Sequence, residues 1–212
     1  MHINPVVVDL SHHNKEEIDF AALRAAGVLG IIHKATQGHK FVDRKYAARH
    51  RAATQEGLLW GAFHYCTGDD PAIQCKHFLD VVAPDDGTLL AIDFEHNKKG
   101  TSMTLPQLVD MAGKVADANH GRKPVIYGGH YLHKKLNGDP NAFLGQHRLW
   151  LDDYVKPGKE PNIPTAWTNY WLWQFTDGKH GPEPHTFPNA GGNFDISSFN
   201  GSEQDLKDQW VP

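Results

Sequence analysis

Short apolar runs rich in β-branched residues alternate along this chain with segments of helical spacing, a pattern that reads as repeated βα units. The first apolar runs are Pro5–Leu10 (PVVVDL), Val28–His33 (VLGIIH), Leu59–Tyr65 (LWGAFHY) and Leu89–Glu95 (LLAIDFE). Helices are predicted between them. Asp19 is placed to cap one that runs to Ala26 and ends at Gly27, and Lys45–Glu56 is closed by Gly57. Asp70-Pro71 opens a third, to Val82, with an acid at the cap and proline in the first turn. Thr104 and Gln107 form a capping-box pattern opening a fourth, which reaches Asn119 with Gly121 just beyond.

Pro124–Gly128, Arg148–Asp152, Trp171–Phe175 and a short Phe194–Ile196 complete about eight strands, the number that closes a (β/α) barrel. The Pro- and Gly-rich stretches Lys156–Pro164 and Gly178–Gly192 are loops within the domain, since a strand follows each. An open doubly wound sheet is the second architecture. Its nucleotide-binding versions lose support, because no GxGxxG follows a strand and no GxxxxGK[ST] occurs.

The 212 residues suit one domain, residues 1–212, with a full core. A formal charge of −4 without long runs of either sign argues against a nucleic-acid or anionic-membrane binder. No apolar stretch approaches the ~18 residues that span a bilayer. Met1–Asp9 holds no Lys or Arg, so no secretory signal is expected there. Cys66 and Cys75 are too few for a disulfide framework and leave two free thiols or one local bridge. Fifteen histidines raise the question of metal, but they are scattered and form no HExxH.

The chemistry concentrates at strand ends. Leu89–Glu95 is apolar until it closes on Asp93-Phe94-Glu95, and residues two apart on a strand share a face. Paired carboxylates at the C-terminal mouth of a barrel strand suit glycoside hydrolysis, which needs a protonated acid beside an ionised one. Taken alone, the pair fits a solvated strand end as well. Asp9 after Val6–Val8 and Asp195 after Phe194 add two further acids from separate segments, and together they favour one shared acidic site. Tyr65, Tyr127 and Trp173 sit at the same strand ends, where aromatic rings can stack on pyranose faces; Trp60, Trp150 and Phe94 read better as core. Lys34 could pair with the acids or lie on the surface.

In this order the motifs resemble those of family 25 (Chalaropsis-type) lysozymes, the N-acetylmuramidases. Asp9-Leu10-Ser11 matches the opening D-x-S, Lys34-Ala35-Thr36-Gln37-Gly38 the K-A-T-E-G, and Gly61–Tyr65 the G-x-Y-H-F. Asp93-Phe94-Glu95 is the D-x-E, Pro124–Tyr127 the P-x-I-Y, and Trp150 to Tyr154 the W-x-x-x-Y. Trp173-Gln174-Phe175 and Asp195–Gly201 match the closing segments. The resemblance implies a flattened, irregular barrel and cleavage of the β-1,4 bond from N-acetylmuramic acid to N-acetylglucosamine. It implies Glu95 as proton donor, with Asp9, Asp93 and Asp195 around the reacting sugar. It further implies peptidoglycan as partner, no cofactor and action on the cell wall; a monomer is expected, and secretion, phage-type release and export as a toxin all fit the sequence.

The chain departs from the pattern at Gln37 for Glu, at Ser197 for Asn and at His13-Asn14 for Trp-Gln. Asp152-Asp153 stand where small or polar residues are common. Two rival readings are a catalytically silent glycan-binding module and a metal-dependent polysaccharide deacetylase using Asp93 with His12, His33 or His64.

Overall fold

The two-residue alternation along each strand becomes the inner and outer faces of one closed sheet. A computed structural model describes residues 6–211. Pro5, the expected start of the first strand, lies outside the described residues, as do Met1–Asn4 and Pro212. The strands are β1 (Val6–Leu10), β2 (Val28–Gln37), β3 (Phe41–Val42), β4 (Leu59–Tyr65), β5 (Leu89–Asp93), β6 (Val125–Gly128), β7 (Leu149–Asp152), β8 (Leu172–Thr176) and β9 (Asp195–Phe199). They run β1-β9-β8-β7-β6-β5-β4-β2-β3, and a parallel β1–β2 pairing closes the ring. The barrel therefore has eight strands, as expected, and β3 is an added strand that folds back antiparallel on β2. All neighbouring barrel strands are parallel except β9, which runs antiparallel to both β1 and β8.

Helices α1 (Phe20–Ala25), α2 (Tyr46–Gln55), α3 (Pro71–Val82) and α4 (Leu105–Ala118) lie where the sequence predicts them. The expected caps are made. Asp19 accepts from the Ala22 amide at 2.8 Å, Asp70 from the Ala72 and Ile73 amides, and Thr104 with Gln107 forms a reciprocal capping box. Gly27 and Gly121 follow their helices at φ +92° and +83°, a backbone region that suits glycine. Helices α5 (His130–Leu136) and α6 (Glu203–Asp208) were not predicted; each is under two turns, too short for periodicity to register. Cys66 and Cys75 are both buried free thiols.

The apolar core has two parts. The larger lies between strands and helices and takes the outward residues, among them Val8, Ile31, Trp60, Ile92, Phe94 and Leu151. The smaller fills the barrel with Val7, Ile32, Leu89, Ala91, Val125, Trp150 and Leu172, and it is capped by Leu206 and Trp210 from the C-terminal segment. Trp210 is 2% exposed, and its indole N–H donates to the Trp60 carbonyl at 2.8 Å. Gly30 makes room for it: a Cβ there would come within 2.7 Å of the Trp210 ring. Large buried aromatics truncated to alanine cost about 3–5 kcal/mol. Trp210→Ala is expected to lose stability of that order by urea denaturation; a change under ~1 kcal/mol would show that this segment does not plug the barrel.

Candidate active site

Strand parity decides which side chains reach the barrel mouth. On β5, Leu89, Ala91 and Asp93 face inward and Leu90, Ile92 and Phe94 outward, so Glu95 follows Asp93 into the interior. On β1 the same alternation turns Asp9 inward beside Val7. Asp195 is the register partner of Asp9 across the β1–β9 ladder. It stands at the first residue of its strand, not at a C-terminal strand end as expected. Because β9 is antiparallel, its beginning lies at the mouth where the parallel strands end.

Asp9, Asp93, Glu95 and Asp195 thus line one cavity of about 220 Å³, walled by Phe63, Tyr65, Tyr127 and Trp150 and by Lys34. A wider chamber of about 460 Å³ adjoins it, shares Glu95, Lys34 and Tyr65, and extends over His96–Lys99 to Gly129–Tyr131 and Asp152. The mouth is therefore a groove with a deep pocket at its floor, and Glu95 stands where the two meet.

The predicted lining residues divide. Tyr65 and Tyr127 reach the cavity wall, and Lys34 enters it as the last inward residue of β2 before a register shift. Trp173 does not line it. Leu172 and Gln174 take the inward positions of β8, so Trp173 lies in the outer core and donates its indole N–H to the Asp153 carbonyl at 2.8 Å. The run WLWQF is apolar on both faces at its start, which hides the parity. Trp150, read as core, contributes to the cavity wall, and its indole N–H donates to Ser197 Oγ at 2.8 Å.

Gln174 is the residue that sequence reasoning passed over. Its Oε1 accepts the hydroxyls of Tyr127 and Tyr154 at 2.9 and 2.7 Å, and its Nε2 donates to Asp9 Oδ2 at 2.7 Å. The signal was present: a lone amide in an apolar strand needs buried partners.

Burial governs the electrostatics. It pushes Asp9 and Asp93 well above the usual carboxylate range; Asp195 adds to the first shift and Glu95 to the second. Glu95 is raised by burial, against the pull of Lys98 and Lys34. Asp195 is lifted to about 6 by burial, with Asp177 and Glu95 contributing. Lys34 is lowered by burial, which Asp93, Asp43 and Glu95 partly oppose. Its Nζ donates to Gln37 Oε1 at 2.6 Å and lies 4.6 Å from the Tyr65 ring centre. Among the described residues it makes no ion pair within 4.0 Å with the four acids, so it offsets their charge only at a distance.

The histidines proposed as metal ligands point elsewhere. His33 and His64 have outward strand parity and commit both ring nitrogens, His33 to the Lys34 carbonyl and Arg49, His64 to Thr36 and Gln74. His12 contacts Asp43 through Nδ1 at 3.0 Å. None of the three can converge with Asp93 in this arrangement, and the deacetylase reading loses its ligand set.

Known proteins share this fold. The chain is 29% identical over 177 residues to the YegX protein of Escherichia coli O157:H7, covering 82% of this chain. It spans only 60% of the length of that relative. The structure of a bacterial lysozyme from Streptomyces coelicolor superposes with a TM-score of 0.82 at 21% identity, over 95% of this chain and 94% of that one. A family GH25 lysozyme from Aspergillus fumigatus does so with a TM-score of 0.79 at 25% identity, over 96% and 97%. The family model described as glycosyl hydrolases family 25 matches residues 8–183, which takes in Asp9, Asp93 and Glu95, and the chain belongs to that family.

Proposed function

We propose that the protein is a muramidase, hydrolysing the β-1,4 bond between N-acetylmuramic acid and N-acetylglucosamine in peptidoglycan. The observation that carries this reading is the convergence of Asp9, Asp93, Glu95 and Asp195 on one aromatic-walled cavity. A silent glycan-binding module would not require a proton donor buried at the junction of pocket and groove. The protein acts on the cell wall as a monomer, reached by secretion or by phage-type release. No helix among the described residues is long and apolar enough to cross a membrane.

In this scheme Glu95 gives its proton to the leaving oxygen as the anomeric C–O bond breaks. Asp93 Oδ1 is buried and has no protein partner, so it is free to accept the N–H of the 2-acetamido group. The acetamido oxygen then closes on the anomeric carbon, and water reopens the ring, returning a proton to Glu95. Burial raises both carboxyls, and the charge of Glu95 adds to the rise at Asp93, so the pair favours holding a proton. A substrate N–H donated to Asp93 favours its ionised form and leaves the proton on Glu95. Substrate binding thereby sets the acid and the acceptor.

Incubation with purified peptidoglycan is expected to leave new reducing ends on N-acetylmuramic acid, read by mass analysis; new N-acetylglucosamine ends would mean a different bond. Glu95→Gln should lower turnover at least ~10²-fold with the fold retained, since general acid catalysis supplies about 10²–10⁴. Asp93→Asn should be severely impaired and Asp9→Asn or Asp195→Asn less so. Activity should persist in EDTA.

Rate should fall as pH rises and Glu95 loses its proton, and this alkaline limb should shift or vanish in Glu95→Gln. An unchanged limb would assign that ionisation to another group.

Stability follows a linked rule. A carboxyl whose folded pKa is raised stabilises below its unfolded value and loses that contribution as pH rises through the folded one. Below about 6.5, His33 and His64, both lowered to about 4 by burial, act in the opposite sense. That opposing effect fades as pH rises past about 6.5, while the acids continue to act, Asp152 being lifted to about 8 by burial and by Glu95. Thermal unfolding should therefore occur at lower temperature at pH 8 than at pH 6.5, and Asp152→Asn should narrow the difference. A midpoint that climbs over this interval would contradict the assignment.

A further inference from the structure

One carboxyl in the groove belongs to none of the four acids above. Asp152 ends β7 with inward parity, two residues after Trp150. It lines the outer chamber together with Glu95 and does not line the deep pocket. It also lines a further chamber of about 360 Å³, formed with His130, His133, Asp153, Tyr154 and Asn162, so it stands where the groove continues past Glu95.

Its position is fixed by backbone. A Cβ on Gly129 would come within 2.1 Å of Asp152 Oδ1, so the carboxyl rests directly on the Gly129 main chain. That same Oδ1 is buried and has no hydrogen-bond partner. Lys98 and Lys99 line the same chamber, yet neither forms an ion pair with Asp152. The charges acting on it from the protein, Glu95 and Asp153, are both negative. A buried carboxyl oxygen left without donor or cation is costly.

A general acid stands beside the leaving oxygen, so a group that shares the outer chamber with Glu95 but not the deep pocket faces the leaving-group sugar. We infer that Asp152 is a specificity residue that receives the free 2-ammonium of a de-N-acetylated glucosamine on the leaving-group side of the cleft. This rests on the muramidase reading for its sense of direction and deepens it by naming a substrate modification. An ammonium supplies both the donor and the positive charge that the protein leaves out, and a charge-assisted bond of this kind is about twice as strong as a neutral one. An acetamido group at the same carbon presents one weaker N–H and no charge.

The test measures binding and cleavage separately. Binding is measured by calorimetry with the tetramer of β-1,4-glucosamine and with its fully N-acetylated counterpart, using the wild type and Asp152→Asn, which keeps the side chain's shape. The wild type is expected to prefer the amine-bearing tetramer, and Asp152→Asn to reduce that preference about tenfold or more, the scale of one buried charged pair. Gly129→Ala, which must displace Asp152, should reduce it as well, with circular dichroism checking that both variants fold. Equal affinity of the wild type for the two tetramers would overturn the inference, as would a preference that survives both variants. Cleavage is followed on peptidoglycan before and after enzymatic de-N-acetylation. Absence of any glycan cleavage would sink the muramidase reading alone, because the binding preference is scored without turnover.

Discussion

Closure of the sheet through β1 is the constraint on which the site depends. Strand β1 sits between β2, the next strand in the chain, and β9, the last, so its two ladders join the ends of the sequence. Without that closure Asp9 and Asp195 would have no reason to meet, since no local pattern links them. With it they become register partners, and the inward parity of β5 brings Asp93 and Glu95 to the same mouth. The plug formed by Trp210 and Leu206 closes the other end with apolar side chains. One end is dry and structural, the other polar and chemical, as barrel enzymes divide their labour.

Much of this was legible in the sequence because it rests on short-range rules. Capping boxes, helix-terminal glycines and two-residue alternation are local, and they placed α1 to α4 and every barrel strand to within a few residues. The Asp93-Phe94-Glu95 spacing was enough to put two carboxylates on one face. What stayed hidden depends on partners distant in sequence. The direction of β9 is not written in Asp195–Phe199, since a five-residue strand reads the same in either sense. Trp173 was misplaced because Trp171, Leu172 and Trp173 are all apolar, leaving no polar residue among them to mark the solvent or mouth side. Strand β3 has two residues, both exposed, and carries no periodicity at all.

The site is also where the fold works against itself. Five carboxyls, Asp9, Asp93, Glu95, Asp152 and Asp195, are raised by burial around one groove, while the buried amine nearest them, Lys34, is occupied with Gln37. A protein selected for stability alone would neutralise such a cluster or fill it with apolar side chains. Here the acids are kept apart from salt-bridge partners, and an ion pair within the cavity would hold Glu95 ionised and unable to act as an acid. Sparse cations are what allow a carboxyl to retain its proton near neutral pH.

Gln174 shows how such a cavity is kept ordered without charge. Tyrosine hydroxyls donate far more readily than they accept when an amide oxygen is near, and two of them converge on Gln174 Oε1. The amide is thereby fixed with its nitrogen toward Asp9, which receives a donor whether or not it holds a proton. A lysine in place of Gln174 would pin Asp9 as an anion; a carboxylate there would repel it. The neutral amide holds the geometry of Asp9 and favours its ionised form, against the larger opposing effects of burial and of the Asp195 charge.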